Sequence, residues 1–208
     1  MTETELRGAL AREDLCRLLA ACYYEPEPAF AAEGLFDNLL AAARQTDTAF
    51  ATHAQAMSKA FDATDAQDLL LDYTRLFLGP MDILARPYGS VWLDQEKTLM
   101  NDSSLAVLEL YKEADFEMDE EFHELPDHVA AELEFLYLLI FRENEARHAG
   151  DAGRLEQTRD LRRRFLEQHL GRWIRPFTAA MRSHAQTDYY RQLADLTEKF
   201  VASEADRG

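Results

Sequence analysis

Three groups of residues in this chain could do chemistry, each of a different kind. One is a doubled Glu-x-x-His unit, Glu120-Glu121-Phe122-His123 and Glu145-Ala146-Arg147-His148, the pattern with which carboxylate-rich bundles hold a pair of metal ions. The next is Pro126-Asp127-His128 with Glu132 one helical turn on. A helix opening at Pro126 would aim its unpaired first-turn N–H groups at a polar or anionic group, and would place Asp127 where the dipole favours a carboxylate. It would also let His128 and Glu132 pair, which raises an imidazole pKa. The last is aromatic: Tyr73, Leu76 and Phe77 at a helix end, then Pro87, Tyr88 and Trp92 in the following connection. With Gly79, Pro80, Pro87 and Gly89 holding that connection stiffly, its rings could receive an apolar segment of a partner without being reordered first.

The metal reading is the weakest of the three. Both Glu-x-x-His units fall near expected helix ends, just before Pro126 and just before Ala149-Gly150, whereas metal ligands project from mid-helix. The apolar stripes over 11–22 and 69–77 offer no further glutamate in register. P-loop, GxGxxG, GxSxG and HExxH signatures are all absent, so the sequence points to no enzyme and to no bound cofactor. For the other two groups a structural alternative stands beside recognition. Asp127 and His128 could simply cap a helix, and Leu76 and Trp92 above all could pack the connection onto the core.

Charge narrows the partners. The formal net charge of −17 repels nucleic acid and anionic membranes and attracts basic peptides. Between Glu113 and Asp127 the chain carries Glu113, Asp115, Glu117, Asp119, Glu120, Glu121, Glu124 and Asp127 without a single Lys or Arg. This run is either a solvated face or a docking field for an arginine-containing peptide. Cys16 and Cys22 lack CxxC spacing and read as small buried hydrophobes. No leader-like segment opens the chain and no apolar run approaches the ~20 residues of a membrane span, so a cytoplasmic protein without stable membrane insertion is expected.

The elements that must position these groups are helices. Apolar residues recur at helical spacing nearly everywhere, for example Val129, Leu133, Leu136, Tyr137 and Ile140, and period-two alternation is sustained nowhere. The spacing predicts helices over 4–24, 28–44, 46–61, 64–78, 103–114, 126–148, 153–184 with a break around Gly171 to Pro176, and 187–204. Thr64 and Gln67 suggest a capping box, Gly79-Pro80 a helix stop, and Thr187 an N-cap. The expected fold is all-α: one domain over 1–208, a bundle of about eight to ten helices with a long ordered loop after the fourth, near 79–101.

The motifs, in their order and spacing, resemble the TorD/DmsD/NarJ family of chaperones that mature molybdenum-cofactor oxidoreductases, most closely its TorD/DmsD branch. The resemblance rests on Tyr73-x-x-Leu76-Phe77-x-Gly79-Pro80, on Pro87-Tyr88-Gly89-Ser90-Val91-Trp92-Leu93-Asp94-x-Glu96, and on Leu125-Pro126-Asp127-His128-Val129-Ala130-x-Glu132-Leu133. Similarity extends to Leu15–Pro26 and to the region from His169-Leu170 through Phe200, and so over nearly the whole chain. It departs at Arg86, where many relatives have a second proline, and at Tyr88, where the dimethyl sulfoxide reductase branch often has Trp.

The resemblance implies an all-helical cytoplasmic chaperone that binds the twin-arginine signal peptide, or another part of a molybdoenzyme precursor, while cofactor is inserted and export restrained. Peptide-binding positions would fall on Tyr73, Leu76, Phe77, Pro87, Tyr88, Trp92, Pro126, Asp127 and His128. The client and the oligomeric state, helix-exchanged dimers included, are not specified by the sequence. A regulatory module for another basic peptide is the alternative. Burying four apolar side chains of a signal peptide supplies on the order of 6 to 12 kcal/mol before ordering costs, against about 8 for micromolar affinity, while exposed Arg–carboxylate pairs add only ~0.2 to 1 each.

Overall fold

The structure is a computed structural model that describes residues 2–79, 83–94, 102–118 and 124–207. Among these, eleven α-helices and one π-helical turn account for the regular structure: α1 (Glu3–Ala21), α2 (Ala29–Ala32), α3 (Leu35–Thr46), α4 (Thr48–Ala63), α5 (Ala66–Tyr73) running into the π turn Thr74–Leu78, α6 (Gly89–Leu93), α7 (Asp102–Glu113), α8 (Val129–Ala149), α9 (Ala152–Gln168), α10 (Leu170–His184) and α11 (Asp188–Ala205). The all-α expectation holds. The helix count exceeds the expected range because Gly34, at φ 74°, divides the second predicted helix, and because α6 lies inside the segment read as a loop.

Several predicted boundaries shift for local reasons. The N-cap of α5 is Asp65, whose Oδ1 accepts from Gln67 N at 2.8 Å, while Thr64 closes α4. Thr187 does occupy the N-cap of α11, but its hydroxyl donates to Asp72 Oδ2 at 2.9 Å and caps no helical N–H. The same buried Asp72 oxygen also accepts from Gln186 N and Thr187 N, so a distant helix holds this corner. The expected break in the long ninth-to-tenth segment sits at His169 (φ −127°, ψ −106°), and the helix then continues through Pro176. Gly171 follows the break because a Cβ there would lie 2.4 Å from the Leu166 carbonyl oxygen.

Helix α8 is the axis of the core. Its first half buries Val129, Ala130, Leu133, Phe135, Leu136, Leu139 and Ile140 completely, as expected of a helix largely surrounded by others. It packs against α1 and α9, α1 against α3, α3 against α4, and α11 against both α4 and α10; the short α6 rests on α10. Cys16 and Cys22 are buried free thiols in this core. Near the far end of α8 four charges meet in the interior. Arg12 clasps Glu204 (Nη2–Oε2 2.7 Å), Arg162 reaches Glu143 (Nε–Oε1 2.5 Å), and Arg162 Nη1 donates to the Glu204 carbonyl at 2.6 Å. This cluster ties α1, α8, α9 and α11 together.

Candidate functional site

The two motif segments meet in space. Gly89 N donates to Asp127 O and Val129 N to Pro87 O, both at 2.8 Å, making an antiparallel bridge between Tyr88 and His128. Across it the Tyr88 and His128 rings face edge-on, 5.3 Å apart. The Asp127 carboxylate completes the joint: its Oδ2 accepts from Ser90 N at 2.8 Å, in the first turn of α6.

This arrangement corrects the expected start of the sixth predicted helix. Helix α8 begins at Val129, its N-cap is His128, whose Nδ1 accepts from Ala130 N at 3.2 Å, and Pro126 and Asp127 lie in the preceding turn. The anion-favouring position at a helix start is filled as predicted in type, but Asp127 serves a helix remote in sequence instead of its own. Pro126 contributes its carbonyl to Tyr111 Oη–H at 2.8 Å.

The expected ion pair between His128 and Glu132 is also corrected. Burial lowers the His128 pKa to about 4, overriding the nearby Glu124 and Asp127 charges, and burial pushes Glu132 well above the usual carboxylate range. His128 is therefore neutral near pH 7, and burial disfavours the charged form of Glu132, so ionic attraction does not hold the two together. Glu132 faces another partner: its Oε2 accepts from Trp173 Nε1 at 3.0 Å.

The rings form a continuous path beneath this joint. Trp92 touches Phe177 (centroids 6.5 Å), Phe177 touches Phe77 (6.2 Å), and Phe77 touches Tyr73 (5.2 Å). Trp92 Nε1 donates to Arg86 O at 2.9 Å, which folds the connection back on itself. Of the nine predicted positions, Leu76, Phe77, Pro87, Pro126, Asp127 and His128 are buried, whereas Tyr73, Tyr88 and Trp92 are half-exposed. The six form a floor and the three an edge open to solvent. Leu78, about half exposed at 49%, lies at the end of the π turn that carries Leu76 and Phe77 inward.

The edge has an anionic neighbour. Tyr88 Oη donates to Glu124 Oε2 at 2.5 Å, and the Tyr73 pKa is pushed up to about 12 by burial and then by the Glu124 and Glu25 charges. Burial first, and the bond to Glu124 next, raises Tyr88 as well. Two neutral phenols thus flank a carboxylate, an arrangement suited to a guanidinium that can stack on a ring and pair with an acid.

The rest of the acidic run contributes less than its sequence suggests. Glu113 is engaged by Arg164, and Asp119–His123, with the first Glu-x-x-His unit, lie outside the described residues. In the second unit Glu145 pairs with Arg154 at 3.4 Å. Among the described residues no group of three His, Cys, Asp or Glu side chains could hold a metal ion, and no helix is long and apolar enough to cross a membrane. Sequence reading did not assign Trp173 and Phe177 to the site, because helical spacing marks them only as core.

Comparison with known proteins agrees with this architecture. Residues 43–179 match the family described as nitrate reductase delta subunit. The Tat proofreading chaperone DmsD of Salmonella typhimurium is 27% identical over 197 residues, covering 93% of this chain and 90% of its own. The chaperone protein TorD of Vibrio parahaemolyticus is 31% identical over 154 residues, 70% of this chain and 66% of its own. A candidate redox enzyme maturation protein from Archaeoglobus fulgidus shares the fold, with a TM-score of 0.58 at 22% identity over 92% of this chain and 93% of that one. The chain belongs to the nitrate reductase delta subunit family, the TorD/DmsD/NarJ family of molybdoenzyme maturation chaperones.

Proposed function

We propose that this protein is a cytoplasmic chaperone, one domain over 1–208, that binds the precursor of a molybdenum-cofactor oxidoreductase through its twin-arginine signal peptide. The apolar part of the peptide lies along the half-exposed edge of Tyr73, Tyr88 and Trp92, extended by Leu78. Leu76, Phe77, Pro87, Pro126, Asp127 and His128 hold that edge from beneath. The observation that carries this reading is the Tyr88–His128 bridge, which joins two segments distant in sequence into one rigid joint. Rigidity matters because rings already fixed in place lose little entropy when a partner arrives.

The arginines of the peptide are assigned to Glu124 and the phenol faces. Asp127 is only 1% exposed and already accepts from Ser90 N, so its part is to shape the joint. The net charge of −17 steers a cationic segment toward the whole surface, while apolar contact sets most of the affinity.

Calorimetric titration with a synthetic twin-arginine signal peptide tests the reading. Micromolar binding by the wild type is expected, and Tyr88→Ala should weaken it about tenfold or more, since an aromatic anchor is typically worth ~2 kcal/mol or above, with the thermal midpoint nearly unchanged. No binding by the wild type, or undiminished binding by Tyr88→Ala, would overturn it.

A further inference from the structure

Beneath the edge, on the side away from solvent, the Gly89–Ser90 dipeptide is gripped from two directions. From the turn before α8, Asp127 takes Gly89 N on its backbone carbonyl and Ser90 N on its carboxylate, both at 2.8 Å. From α8 and α10, Glu132 and Trp173 are bonded to each other at 3.0 Å and press on Gly89 itself. A Cβ at Gly89 would lie 2.9 Å from Trp173 Nε1, 3.1 Å from Glu132 Oε1 and 3.2 Å from Trp173 Cδ1, so only glycine admits this approach.

Three oxygens in this same place, Ser90 Oγ, Asp127 Oδ1 and Glu132 Oε1, are buried without a protein hydrogen-bond partner among the described residues. Such atoms ordinarily destabilise a fold, and a cluster of them is not explained by packing alone. We infer that Glu132 is a positioning residue for the client surface: together with Trp173 it seats the Gly89–Leu93 helix, and with it Tyr88 and Trp92, at the height the bridge requires.

The Glu132 side chain acts through its bond to Trp173 and its contact with Gly89. Glu132 itself feels the Asp127 charge and the Trp173 bond, while Asp127, Glu132 and Glu134 act on Tyr111 of α7, and Arg172, Asp127 and Asp94 act on His169 before α10. Burial lowers the His169 pKa and raises that of Glu132, disfavouring the charged form of each. Glu132 holds the indole through Oε2, while its Oε1 faces Gly89.

This inference rests on reading Tyr88 and Trp92 as client-binding, and two measurements keep the questions apart. Hydrogen exchange of the Gly89–Leu93 amides, recorded without any client, reads the seating of α6 alone. Titration with a twin-arginine signal peptide, well below the unfolding temperature, reads its consequence. Glu132→Gln preserves size and the acceptor for Trp173, and should leave both nearly as in the wild type. Glu132→Ala, and independently the gentler Trp173→Phe, should speed the exchange of the Gly89 and Ser90 amides and weaken peptide binding about tenfold.

Unchanged exchange in both Glu132→Ala and Trp173→Phe would overturn the inference. So would Glu132→Gln behaving like Glu132→Ala, which would mean that an ionised carboxylate is what the site needs. Faster exchange in a protein whose wild type binds no signal peptide would uphold the seating role and reject the client surface above it.

Discussion

The two ends of helix α8 solve the problem of buried charge in opposite ways. Around Glu143 two guanidiniums meet two carboxylates, so the interior cluster of Arg12, Glu143, Arg162 and Glu204 is neutral by pairing. Eleven residues earlier, about 16 Å along the same helix, Glu132 and Asp127 share a buried corner in which, among the described residues, neither forms an ion pair: burial raises the Glu132 pKa, and Asp127 accepts from the Ser90 backbone N–H. The paired end fastens four helices to one another. The unpaired end lies directly under the half-exposed edge of Tyr73, Tyr88 and Trp92, and retains oxygens with unused bonding capacity. Stability is concentrated in one and the shaping of a surface in the other.

The same substitution made at both ends puts that contrast to its strongest test. Glu143→Gln leaves Arg162 and Arg12 short of a buried countercharge and should lower unfolding free energy by about 3 to 5 kcal/mol. Glu132→Gln keeps an acceptor for Trp173 and removes no ion-pair partner, so it should change it by less than ~1 kcal/mol. Urea denaturation of the two variants decides the matter, and similar losses would erase the distinction between the two ends.

A second test uses acid. Unfolded His128 takes up a proton near pH 6.5, but in the fold it does so only near pH 4. Between those values the unfolded chain binds more protons, so stability falls as pH drops through this window, by on the order of 3 kcal/mol at the acid end. Glu132 has the opposite sign. Its folded pKa is raised, so its contribution is complete below the ordinary glutamate value and declines as pH rises toward the folded one. His128→Asn, which keeps a capping acceptor, should flatten the acid limb of a plot of urea midpoint against pH. Glu132→Gln should flatten the opposite limb and spare the acid one. A single variant flattening both limbs would mean that the corner titrates as one unit.

How much of this was legible in the sequence depends on whether the decisive partner is near in the chain. Helix existence was legible throughout, since the 3.6-residue spacing of apolar side chains is a local signal. That the segments 73–94 and 125–135 are more than plain connections was legible from their Pro, Gly and aromatic residues. The role of Asp127 was not, because its partner Ser90 is 37 residues away and a local reading assigns every carboxylate to the nearest helix start. The supposed pairing of His128 with Glu132 failed for a related reason. Spacing of one turn says that two groups can meet, whereas burial decides whether either is charged. Phe77 likewise reads in sequence as a ring that could receive a partner, yet it sits among Tyr23, Tyr73, Phe177 and Tyr190 at 3% exposure. Phe77→Ala is therefore a core deletion, of the kind that removes ~3 to 5 kcal/mol, and any loss of binding it causes cannot be separated from unfolding.

The smallest expected effect concerns the acid on the open side. Glu124 is exposed and bonded to Tyr88 at 2.5 Å, so Glu124→Gln removes a charge from the rim while leaving an acceptor for the phenol. Rim charges chiefly affect encounter, and exposed pairs add only ~0.2 to 1 kcal/mol, so affinity for an arginine-containing signal peptide should fall by less than about fivefold. That loss should shrink as salt is raised, because a charge in water is screened over about 10 Å at 0.1 M ionic strength. Tyr88→Phe should behave similarly, and the double variant should be little worse than either single one if both act through their shared bond. A Glu124→Gln loss as large as that of Tyr88→Ala, and insensitive to salt, would place the arginine in a desolvated pocket with Glu124. Recognition would then be led by charge and the rings would be its frame, so the polar economy of the paired end of α8 would extend to the binding surface as well.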